Sequence, residues 1–204
     1  MQKTEAIIFD LGGVILDVDY NLTRTAFEKL GVRNFNAMYS QSGADMLFSK
    51  LETGAISEED FYIEINKSSG LQLSHSEIKK AWNAILLDFR EQSLLFLDEL
   101  KPKYKLFLLS NTNHIHLDEF NKIYNEKKRE KPFIEFFENA YFSCEIGLRK
   151  PDRACYDWVL KKEKLDPGKT IFVDDSIQNI ETARLAGMQT ILLEPGKYIE
   201  DLEL

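Results

Sequence analysis

At 204 residues, with 44% hydrophobic and 29% charged side chains, the chain holds enough apolar material for one main core plus a smaller appended unit, which excludes a disordered polymer. Its net charge of -8 supplies no general field for nucleic acid or an anionic membrane. Small-molecule chemistry is the class that remains, with a small metabolite as the expected partner.

In chain order, Met1 leads through Lys3 and Glu5 into Ala6 to Phe9, an apolar stretch too brief for the core of a signal peptide. No later segment approaches the roughly 20 apolar residues of a membrane span. The two cysteines, Cys144 and Cys155, fit neither a metal spacing nor a disulfide framework, so a reduced, cytoplasmic protein is expected.

Ala6-Ile7-Ile8-Phe9 reads as a buried parallel strand that opens at Asp10, Gly12 and Gly13 into a tight loop. Val14 to Asp19 then alternates like a strand and places Asp17 and Asp19 on one face of a flap. From Tyr20 to Asp88 the period is helical. Leu22, Ala26, Phe27 and Leu30 share a face; Ser57 with Asp60 and Ser74 with Glu77 open two further helices, the second striped by Ile78, Ala81, Trp82 and Ile85. A helix over Ser93 to Leu100 leads to a second strand-like run, Lys105 to Ser110, and more follow at Ala140 to Ser143, Thr170 to Asp174 and Gln189 to Leu193. Helical patterns separate the later runs, one after Pro151 and one from Ile177 to a cap at Gly187. The basic segment Glu126 to Lys131 reads as a solvated helix end or loop and not a binding patch, and there is no internal repeat.

Strand alternating with helix predicts an α/β fold: a doubly wound, Rossmann-like parallel sheet with a small all-helical cap inserted after the first strand. Residues 1–19 and 89–204 would form the core and residues 20–88 the cap. In such a sheet the ligand crevice lies outside the carboxyl ends of the strands. Asp10, Ser110 with Asn111, and Asp174 with Asp175 all end strands, and Lys150 follows one by a loop, so these groups should converge. Three neighbouring carboxylates call for a hard cation, and Mg2+ with its preference for oxygen suits them. A lysine and a hydroxyl beside it suit a phosphate dianion.

Asp10-Leu11-Gly12-Gly13-Val14, Ser110-Asn111-Thr112, Lys150-Pro151 and Asp174-Asp175-Ser176 resemble the ordered motifs of the haloacid dehalogenase-like hydrolases, and the resemblance covers nearly the whole chain. Within that family, Phe9 to Asp17, Ser110 to Asn113 and Gly147 to Pro151 look closest to bacterial phosphatases acting on α-D-glucose 1-phosphate. The resemblance implies that Asp10 attacks phosphorus and forms an aspartyl-phosphate that water later hydrolyses. It implies Mg2+ held by Asp10, Asp175, the carbonyl of Gly12 and, directly or through water, Asp174. It implies phosphate oxygens held by Ser110 and the amide of Asn111, with Lys150 neutralising charge and orienting Asp10.

One departure matters. The family's phosphatases commonly carry a second Asp two residues after the nucleophile as proton donor; this chain has Gly12 there. A general acid worth typically about 10²–10⁴-fold is absent from its usual place. Three compensations suggest themselves: a good leaving group such as the anomeric oxygen of a hexose 1-phosphate, Asp17 or Asp19 swinging in, or water. His114 and His116 would share a face on an extended chain and diverge on a helix; His75 carries no signal. The rival readings are a phosphate-ligand binding protein without turnover and a metal-free 2-haloacid dehalogenase, against which Asp174 and Asp175 argue.

Overall fold

A computed structural model describes residues 3–33, 35 and 44–204. Residues 34 and 36–43, which belong to the expected cap, and Met1 and Gln2 at the N-terminus lie outside the described residues. The core is a five-stranded sheet in the order β5-β4-β1-β6-β7, formed by β1 (Ala6–Phe9), β4 (Lys105–Ser110), β5 (Asn139–Phe142), β6 (Thr170–Asp174) and β7 (Gln189–Leu192). Every pairing in it is parallel, with Phe9 beside Leu108 on one side and Val173 on the other.

The apolar runs form strands because both faces are covered. Ile7 and Phe9 pack into one cluster with Leu94, Leu97 and Phe120, while Ala6 and Ile8 point the other way to Tyr156, Val159 and Ile180. The first face is closed by α5 (Glu91–Leu100) and α6 (His114–Glu126), the second by α8 (Arg153–Glu163) and α9 (Ile177–Leu185). After β1 the chain builds outward through β4 and β5, then returns to β1's other side for β6 and β7. The order therefore reverses beside β1, where the carboxyl ends of β1, β4 and β6 open a crevice.

The insert carries α1 (Tyr20–Lys29), α2 (Ala44–Glu52), α3 (Glu58–Ser69) and α4 (His75–Asn83) around its own core, in which Phe48 stacks on Trp82 with ring centroids 5.1 Å apart. Both expected capping boxes form, Ser57 with Asp60 and Ser74 with Glu77. Ile115 of α6 joins this cluster, which seats the insert on the sheet's helical layer.

Some expectations are corrected. The buried face of α1 is Thr23 and Phe27, whereas Leu22 is 40% exposed; the Thr23 hydroxyl donates to the carbonyl of Trp82 at 3.0 Å, so a polar residue holds the inward position. Helix α4 stops at Asn83, and Ile85 is buried just beyond it. The insert does not return as helix alone: β3 (Leu86–Phe89) pairs antiparallel with β2 (Leu16–Val18). The segment Glu126 to Lys131 is, as expected, a largely exposed helix end and loop, with two of its cations paired. Arg129 pairs with Glu91 and lies over the Tyr124 ring, 4.5 Å from its centroid, while Lys131 pairs with Asp98.

Candidate active site

Asp10 follows β1 directly, and its amide donates to the carbonyl of Val173 at 2.9 Å, which fixes the side chain at the mouth of the crevice. Lys150 reaches in from the loop after α7 (Ser143–Ile146) and is 1% exposed; its Nζ lies 2.7 Å from Asp10 Oδ1 and 2.7 Å from Asp174 Oδ2. A buried ammonium survives here because two carboxylates share it. Burial opposes its charge, yet Asp10 and Asp174 outweigh that and hold Lys150 above the usual lysine range.

Asp10, Asp174 and Asp175 each present an oxygen, and these atoms lie within 4.8 Å of one another. Burial and the neighbouring Asp174 push Asp10 up to about 7, against the pull of Lys150. Burial, then Asp174, likewise raises Asp175. One lysine thus under-compensates the three acids, which is the electrostatic signature of a site that fits a divalent cation. Asp174 is already engaged: it accepts from Lys150, from the Ser176 amide at 2.8 Å and from Asn179 Nδ2 at 3.0 Å. Ser176 makes no side-chain cap on α9.

The turn after Asp10 is shaped by close approach. A Cβ on Gly13 (φ +73°) would lie 2.1 Å from Asp175 Oδ2, so that glycine admits the carboxylate. At Gly12 a Cβ would meet only Val18, at 3.6 Å, in ordinary contact. Ser110 is buried at the end of β4. Asn111 bridges to Lys150 reciprocally, donating through Nδ2 to the Lys150 carbonyl at 2.7 Å and accepting the Lys150 amide at 2.8 Å. All the strand-end residues read from the sequence therefore gather around one crevice.

Both flap acids already have partners. Arg90 Nε donates to Asp17 at 2.6 Å, and its Nη1 donates to the carbonyls of Gly13 and Val14 at 2.9 and 3.0 Å. Asp19 caps α1 by accepting the Asn21 amide at 2.8 Å. The histidines diverge because α6 begins at His114: His114 is exposed, and His116 stacks on Trp82 with centroids 4.8 Å apart. Burial lowers His116 to about 4, so it is neutral in most conditions.

The crevice extends under the insert as a cleft bounded by Gly12, Ser110, Asn111 and Thr112 below and by Tyr20, Glu52, Trp82 and Leu86 above. Tyr20, Glu52 and Arg90 were not singled out by sequence. No local pattern could have found them, since Arg90 meets Asp17 across 73 residues and Glu52 meets Arg149 across 97. Asn179, five residues beyond Asp174, was accessible to sequence as a polar residue in the first turn of α9 but carried no motif.

The sheet, its crevice and this cluster of acids with lysine define the class. The chain belongs to the haloacid dehalogenase-like hydrolases, whose family profile matches residues 4–187. It is 30% identical over 195 residues to the D-ribitol-5-phosphate phosphatase of Bacteroides thetaiotaomicron, covering 93% of this chain and 92% of that one. It is 25% identical to a phosphorylated carbohydrates phosphatase of Thermotoga maritima, covering 92% and 83%. Among solved structures it superposes with a TM-score of 0.87 on a Bacteroides thetaiotaomicron enzyme of this family in complex with magnesium and inorganic phosphate, at 30% identity and covering 98% and 100% of the two chains. Among the described residues, no helix is long and apolar enough to cross a membrane.

Proposed function

We propose that the chain is a Mg2+-dependent phosphatase of small phosphate monoesters, among them sugar phosphates such as hexose 1-phosphates, acting through an aspartyl-phosphate on Asp10. The observation that carries this reading is the placement of Lys150 between Asp10 and Asp174 at the reversal point of the sheet, with Asp175 alongside. The names of the similar phosphatases support the substrate class.

Asp10, Asp175, the Gly12 carbonyl and, directly or through water, Asp174 would hold the cation, which would supply charge neutralisation for phosphoryl transfer. Lys150 holds Asp10 in one rotamer and offsets charge on the phosphate, and Ser110 with the Asn111 amide positions the phosphate oxygens. Asn111 keeps the Lys150 backbone in register with the end of β4. The insert, residues 20–88 in this reading, closes over the leaving group and excludes water.

The test is a phosphate-release screen over phosphorylated metabolites with Mg2+, run beside Asp10→Asn. Release abolished by the substitution is expected. Ligand affinity without any release would instead mark a binding protein, and release untouched by Asp10→Asn would sink the mechanism.

A further inference from the structure

We propose that Glu52, at the end of α2 in the insert, is the proton donor that Gly12 leaves missing. This rests on the phosphatase reading above.

Among the described residues that bound the cleft, Glu52 is the one carboxyl group; Tyr20 and His116 are the other titratable side chains. The phenol of Tyr20 is pushed up to about 12 by burial and by Asp10, Asp175 and Glu52, too weak an acid for the task. His116 is held neutral and packed against Trp82, so it has no proton to give at ordinary pH. Asp17 and Asp19 are committed to Arg90 and to the α1 cap.

Glu52 is held in an unusual way. Arg149 donates both Nε, at 2.9 Å, and Nη2, at 2.8 Å, to the same oxygen, Oε2. Neither contact uses Oε1, and Glu52 lines the cleft. A carboxyl arranged like this can carry its proton on Oε1 while the guanidinium waits on Oε2 to stabilise the anion that remains after donation. Burial raises Glu52 from its ordinary value, against the pull of Arg149. The position also follows from the fold: Arg149 immediately precedes Lys150, so the fork that grips Glu52 is tied to the residue that grips Asp10. Gly54, next along the insert, approaches so closely that a Cβ there would lie 2.5 Å from the Cys144 carbonyl, so this end of the insert is docked on the core.

In the first step an oxygen of Asp10 bonds to phosphorus as the bond from phosphorus to the leaving oxygen breaks. The electron pair passes to that oxygen, which takes the proton from Glu52 Oε1. In the second step Glu52, now a carboxylate, takes a proton from water as the water oxygen bonds to phosphorus and the bond to Asp10 breaks. Phosphate leaves and Glu52 is again protonated.

The test is leaving-group dependence in Glu52→Gln, which keeps the shape and an acceptor for Arg149 but has no acidic proton. Wild type and variant are assayed with a polyol phosphate, whose alkoxide needs protonation, and with p-nitrophenyl phosphate, whose phenolate does not. A kcat loss of about 10² or more on the polyol phosphate, at least tenfold larger than on p-nitrophenyl phosphate, is expected, with loss of the alkaline limb of the pH profile. Glu52→Asp should recover part of the polyol activity. Equal losses on both substrates would reduce Glu52 to a clasp between insert and core and overturn the assignment, as would no loss at all. Thermal melting of Glu52→Gln, with Glu52→Asp beside it, separates misfolding from lost chemistry. A wild type inert even toward p-nitrophenyl phosphate would remove the phosphatase reading, and this assignment with it.

Discussion

Lys150 and Asp174 form an ion pair 2.7 Å long with both side chains sealed from solvent, and the same ammonium holds Asp10. Breaking such a pair from one side leaves a buried carboxylate uncompensated, at a cost of about 3–5 kcal/mol. Lys150→Met is therefore expected to lower stability in urea melts by that order and to reduce phosphate release by at least about 10²-fold. An active variant of wild-type stability would remove Lys150 from both roles.

Gly13 and Gly12 are neighbours with opposite tolerances. A Cβ at Gly13 requires a left-handed backbone and meets Asp175 Oδ2 at 2.1 Å, whereas at Gly12 it meets Val18 in ordinary contact. Gly13→Ala should displace Asp175, destabilise the chain by more than about 1 kcal/mol and weaken the response of activity to added Mg2+. Gly12→Ala should stay within about 1 kcal/mol of wild type. Paired melts and Mg2+ titrations read the difference, and equal tolerance of both would contradict the geometry.

Arg90 clamps the turn after Asp10 through Asp17 and two backbone carbonyls, and also lies over the Tyr198 ring, 5.0 Å from its centroid. Arg90→Lys keeps charge but loses the fork. The turn carrying Gly12 and Gly13 should loosen, with kcat falling on the order of 10- to 100-fold and little change in melting temperature. Unchanged kinetics would show that the clamp is dispensable.

His116 should make the fold sensitive to mild acid. Burial lowers it to about 4, below the ordinary histidine value of about 6.5, so the unfolded chain binds more protons between those limits. The contribution is present in full above about pH 6.5 and is lost as pH falls toward about 4, by at most about 3 kcal/mol and less to the extent that water in the cleft reaches the ring. Urea melts at several pH values, for wild type and His116→Gln, should converge as pH falls. Parallel profiles would assign the acid sensitivity elsewhere.

Much of the core was legible because the deciding forces were local. The runs of β1, β4 and β6 are buried on both faces, so continuous apolar sequence marks them, and the acids sit where those runs stop. The boxes Ser57 with Asp60 and Ser74 with Glu77 are satisfied within four residues. What escaped depends on distant partners. Thr23 faces inward because the Trp82 carbonyl awaits its hydroxyl, which no hydrophobic period records. Leu86–Phe89 is a strand because β2 offers it an edge. Arg90 and Glu52 gain meaning only when Asp17 and Arg149 are brought to them.

The pairing of β2 with β3 carries a topological consequence. Leu16 faces Phe89 and Val18 faces Leu86, so the chain departs toward the insert and comes back along adjacent, hydrogen-bonded tracks. Everything between them is, in connectivity, the loop of one long hairpin. Each doubling of a loop's length adds only about 0.6 kcal/mol of closure entropy. The roof of the cleft can thus be lengthened, shortened or exchanged while the register of the parallel sheet, and the spacing of Asp10, Lys150 and Asp174, stays untouched.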